Sequence, residues 1–178
     1  MFIMILLAFK DLGKRYLTVE PASMQIYTSL VMMPWSFKIV YGIISDNANK
    51  MAEFGLGRKN LILAMGAIQF ISLISLFLFN FQSPMLTAAL LALTSLGEAF
   101  TNVASQAMMV IQARRDEESG QQNLVTAMYV YTAVGGVLGC ILGGYMTENY
   151  HPKWCFLLYS FSGLLVIYYT FFLSPESE

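Results

Sequence analysis

Four polar residues lie deep inside apolar stretches of this 178-residue chain: Lys38, Glu98, Asn102 and Gln106. An amine or a carboxyl buried at such depth is costly, so each is a functional candidate, suited to hold a charged solute or carry a proton. Glu98, Asn102 and Gln106 follow at i, i+4 and i+8, which places them on one helix face. Thr94 and Thr101 lie close to the same stripe. Such a face cannot point at lipid; it lines a watery cavity or hydrogen-bonds to other helices. Lys38 stands about 14 residues into its stretch, roughly 21 Å of helix. Snorkelling past Asp46 would need about 12 Å more, which is far for a lysine stem. Glu98 stands about 13 residues into a stretch that runs in the same direction, so the two charges should sit at nearly equal depth. A Lys38–Glu98 pair would lower the burial cost of both, as structural glue or as part of a site.

Two further patterns are less specific. Gly42, Asp46, Gly57, Arg58 and Lys59 border an apolar stretch, where charges cost little and ordinary flanking charge explains them. Gly135, Gly139 and Gly143, with Gly136 and Gly144 beside them, put small residues at every fourth position, which lets two helix backbones approach closely. Nothing resembles a nucleophile with its base, a metal set or a phosphate-cradling loop, so neither an enzyme nor a cofactor is expected. Cys140 and Cys155 sit in apolar runs and read as small core residues. His151, the only histidine, lies in a short loop and is given no role.

The elements that must position these groups follow from composition. Apolar residues make up 57% of the chain and charged residues 12%, against roughly 25% charge in a soluble domain. So few charges could not cover a water-soluble globule. The net charge is −1 with no basic cluster, so nucleic acid is not an expected partner. The lipid bilayer is. A spanning helix needs about 20 mostly apolar residues, and five stretches meet that length: 24–46, 61–80, 85–112, 124–146 and 154–173. They predict an all-α membrane protein, a single transmembrane domain over 1–178 with five full spans. Met1–Phe9 is apolar but too short to span, and reads either as an interfacial stub or as part of a spanning helix. Trp154, Tyr150, Tyr168 and Tyr169 fit interfacial belts. Basic residues in the loops do not decide the orientation or which membrane is crossed.

The segment Pro34-Trp35-Ser36-Phe37-Lys38-Ile39-Val40-Tyr41-Gly42-Ile43-Ile44-Ser45-Asp46, followed by Gly57-Arg58-Lys59, carries a resemblance. A glycine, an aspartate four residues on and a glycine with a basic pair form a loop signature of the major facilitator superfamily. The surrounding residues resemble the "PW-x-x-K-P-x-x-G-x-x-S-D" segment of its folate–biopterin transporter family. Phe54-Gly55 before the basic pair, Gln112-Ala113-Arg114-Arg115, and the run Ala133 to Gly144 match in the same order and spacing. The resemblance covers most of residues 16–147.

That family implies twelve helices in two six-helix halves, with substrate held between them near the midplane. By the resemblance this chain is the amino-terminal half of such a fold, with its short stub where the first helix ends. The loop with Asp46, Arg58 and Lys59 would latch one half to the other, so a second half or other membrane subunits are implied partners. Lys38 would attract a small anionic substrate such as folate or a pterin, with Glu98, Asn102 and Gln106 completing its site. Family members usually carry aspartates at the positions of Asn102 and Gln106, an arginine at Thr132 and a proline at Ile39. An amide cannot titrate, so proton coupling is put in doubt. A non-transporting accessory membrane subunit and an incomplete reading of a longer transporter gene are the alternatives.

Overall fold

The computed structural model describes residues 2–47, 58–79, 83–113 and 120–172. Every regular element among them is helical. The order is α1 (Phe2–Arg15), α2 (Pro21–Met32), a five-residue 3-10 turn (Met33–Phe37), α3 (Lys38–Asn47), α4 (Arg58–Leu78), α5 (Pro84–Ala113), α6 (Gly120–Asn149) and α7 (Lys153–Phe172). Four of these, α4 to α7, are long and apolar enough to cross a bilayer. The chain is a multi-pass integral membrane protein.

Expected as one span, 24–46 is helical but broken in its middle. Pro34 has no N–H to donate and its ring crowds the preceding turn. The Met33 N–H therefore bonds to Leu30 O, three residues back, and the helix tightens to 3-10 geometry for one turn. Lys38 opens the helix that resumes. Lys38 therefore begins a second helical segment and does not stand partway along one straight rod.

α4 lies at the heart of the bundle, packed extensively on both α5 and α7, while α2 and α3 lie along α5. α1 is longer than the expected stub and runs on through Lys10 to Arg15, where Arg15 Nε pairs with Asp11 at 2.7 Å. Its Met4, Ile5, Ala8 and Phe9 are fully buried against α6 and α7, in one cluster with Leu73, Leu91 and Phe156. The Tyr16 ring stacks on His151 at 4.3 Å, which ties the end of α1 to the α6–α7 connection.

Glycines decide where backbones touch. A Cβ at Gly97 of α5 would fall 2.7 Å from the carbonyl oxygen of Met65 on α4. Gly66 of α4 and Gly163 of α7 face each other, each leaving room for the other's carbonyl. The glycine ladder of α6 is used at one end. Gly143 takes Met4 of α1, where a Cβ would approach Met4 Cγ to 2.9 Å, and Gly139 is buried. A Cβ at Gly135, Gly136 or Gly144 meets nothing within 4 Å. Cys155 is buried as expected, but Cys140 lies on the exposed face of α6. Tyr150, Trp154, Tyr168 and Tyr169 are all exposed, as a belt position requires.

Candidate functional site

Glu98, Asn102 and Gln106 rise along α5 and line one cavity of about 390 Å³, open on one side. Such a volume lies at the small end of ligand sites. The helical spacing brings these three together, and Thr101 and Ser105 join them from the neighbouring stripe. Gln106 Nε2 donates to Asn102 Oδ1 at 3.2 Å, so the two amides form a ladder one turn apart. The opposite wall comes from other helices: Gln69 of α4, Met128 of α6, and Tyr159, Ser162 and Val166 of α7.

Gln69 is pressed against α5 by the close crossing at Gly97, and from there its Nε2 donates to Ser162 Oγ at 3.1 Å. Ser162 in turn donates to Tyr159 O at 2.7 Å, one turn back along α7. Glu98 interacts with the side chain of Tyr159, while its Oε2 is buried and has no hydrogen-bond partner. An orphaned carboxyl oxygen in a low-dielectric bundle is costly, which singles Glu98 out among the cavity residues. Gln69, Tyr159 and Ser162 were missed in the sequence, since uncharged polar residues scattered along α4 and α7 do not announce which helix they face. Gln69 alone left a trace there, as an amide in the middle of a span.

Lys38 is not part of this cavity. Its ammonium sits over the Trp35 ring, 4.6 Å from the centroid, and no ion pair with Glu98 forms. The 3-10 turn is the cause: it puts Trp35 one tight turn before Lys38, and the indole face takes the cation in place of a carboxylate. Trp35 also packs on Phe2 at 5.9 Å, and its Nε1 is buried with no acceptor.

The loop residues expected to act as a gate are split. Gly57, with Phe54, Gly55, Arg114 and Arg115, lies outside the described residues. Gly42 lies against Val103 of α5, and Asp46 is exposed near the end of α3. Arg58 is 7% exposed, and its Nε and Nη2 donate to Ser45 O at 3.4 and 3.3 Å. Lys59 Nζ donates to Phe171 O at 2.9 Å. The basic pair thus opens α4 while serving the carbonyl ends of two other helices, α3 and α7, where helix dipoles favour cations.

The chain has relatives among known proteins. The model of the BT1 family matches residues 4–177. The chain is 30% identical over 152 residues to probable folate-biopterin transporter 4 of Arabidopsis thaliana, covering 83% of this chain and 30% of that protein. It is 28% identical over 155 residues to folate transporter 1 of Plasmodium falciparum, covering 87% of this chain and 30% of that one. Against the folate-biopterin transporter of Synechocystis it is 26% identical over 164 residues, covering 92% and 32%. The chain therefore spans about a third of the length of the curated relatives it matches. No solved structure matches it.

Proposed function

Because this chain belongs to the BT1 family, that of the folate–biopterin transporters, we propose that it forms part of a membrane transporter for folates or pterins. The observation that supports this most directly is the polar cavity of about 390 Å³ within an otherwise apolar bundle, lined by Glu98, Asn102 and Gln106. In this reading α1 to α7 are the amino-terminal half of a major facilitator fold. Its broken second span is α2 with α3, and Pro21 to Asn47 is about 40 Å of rise, enough to cross. Gly42, Asp46, Gly57, Arg58 and Lys59 form its gating loop. The small-residue face of the α6 ladder is smooth enough to slide against a second half or another membrane subunit.

Lys38 then acts apart from the cavity, as a positive charge for the carboxylates of a folate tail. Its place at a helix break near mid-span supports this, since interrupted helices are where transporters hold charged groups. The test is uptake of radiolabelled folate and biopterin by proteoliposomes containing the protein purified with its natural assembly. Saturable uptake of either supports transport. Correctly inserted protein that takes up neither supports the accessory-subunit reading, which the untitratable Asn102–Gln106 amide ladder favours. Lys38→Ala should weaken the apparent affinity for anionic folate by roughly tenfold, about 1.4 kcal/mol, and leave that for uncharged biopterin within about twofold. Equal behaviour toward both solutes would remove Lys38 from substrate recognition.

A further inference from the structure

We propose that Glu98 reads the donor edge of a planar heterocycle, namely a ring N–H beside an exocyclic amino group, in the cavity between α4, α5 and α7. This rests on the transport reading above and assigns the cavity a chemical selectivity. Three observations carry it. Glu98 lines the cavity, its Oε2 is buried with no hydrogen-bond partner, and no cation among the described residues pairs with it. Lys38, the nearest candidate by depth, is held over Trp35.

Several of the polar groups around Glu98 already have hydrogen-bond partners. Gln69 donates to Ser162, Gln106 donates to Asn102, and Thr101 donates to Gly97 O at 2.8 Å. Glu98 Oε2 is the one atom lining this cavity that is buried with no hydrogen-bond partner among the described residues. Tyr159 already engages the carboxyl, and Oε2 is the oxygen left over; a planar fork of two N–H donors can give one bond to Oε2 and share the other oxygen with Tyr159. A guanidinium has that fork, and so does the 2-amino-4-oxo ring of a pterin, through its exocyclic amine and adjacent ring N–H. The same ring with oxygen in place of the amine presents an acceptor to Glu98 and is repelled. Discrimination of this kind is strong, because the wrong partner leaves a buried polar group unpaired. The cavity is open on one side, so a folate tail would leave through that side.

The experiment compares binding of pterin and of lumazine, its 2,4-dioxo counterpart, to the detergent-purified protein with its natural assembly. The wild type is expected to bind pterin at least tenfold more tightly than lumazine. Glu98→Gln, nearly the same in shape, should bring the two affinities within about threefold while the thermal midpoint holds. Glu98→Asp keeps the carboxylate and should keep the preference at reduced affinity. A Gln variant that retains the wild-type preference, or a wild type that binds both rings equally, overturns the assignment while leaving transport intact. So does a Gln variant whose melting point falls sharply with the preference unchanged, which would make Glu98 a packing group. A wild type that binds neither ring and takes up neither folate nor biopterin overturns both this inference and the transport reading.

Discussion

Gly97→Leu should cost the bundle about 3 kcal/mol or more, because the added carbon would fall 2.7 Å from a backbone oxygen of α4, not from a side chain that can swing aside. Real Cβ atoms do not approach a carbonyl so closely, so α4 must move away from α5 along the crossing. That movement reaches the cavity, since Gln69 sits beside Gly97 and holds Ser162 across the interface. The expected result is a clear fall in thermal midpoint in detergent, together with loss of ligand binding. Gly144→Leu is the control. A Cβ there meets nothing within 4 Å, and its midpoint should shift little. Equal melting of the two variants would mean that the α4–α5 crossing does not limit the fold.

Arg58→Met should come next, at about 2 kcal/mol, and should separate from Lys59→Met, which should stay below about 1 kcal/mol. The two residues are adjacent and alike in charge, but their settings differ. Arg58 is buried and gives two donors to Ser45 O, one of the last carbonyls of α3 that has no partner within its own helix. Methionine keeps most of the stem and removes the cation, so the carbonyl end of α3 loses both its donors and the charge that suits its dipole. The Lys59 contact with Phe171 O lies at the solvent-facing rim, where water can replace it. Thermal melts of both variants in one detergent check the difference. If neither moves the midpoint, the pair does not brace this bundle, and a latch toward another subunit becomes its main role.

Length and hydropathy were enough to find α4 to α7. A run of about 20 apolar residues has few options in lipid, because the backbone must satisfy its own hydrogen bonds. The boundaries of α4 to α7 fall within a few residues of those read from the sequence. The polar face of α5 was equally legible, since Glu98, Asn102 and Gln106 belong to one helix and their common direction needs only its 3.6-residue period. The motif segment and basic pair were enough to suggest the family before any fold was known.

What faces that stripe was decided by the tertiary structure. Lipid tails are as apolar as leucine side chains, so hydrophobicity does not tell one helix neighbour from another. Shape does, and shape is not local. The α6 ladder is the most regular small-residue pattern in the sequence, yet among the described residues it closes on Met4 of α1 at its lower end only. The tightest crossings instead use isolated glycines, Gly97, Gly66 and Gly163, which carry no repeat to announce them. Those crossings bring Gln69, Tyr159 and Ser162 around Glu98. In the same way, one proline turned an expected Lys38–Glu98 pair into a lysine resting on Trp35. The sequence by itself determined which groups must be buried in the membrane, because burial follows from helix length and period. Which of them meet was set by where two backbones could come close, and only the packed bundle decides that.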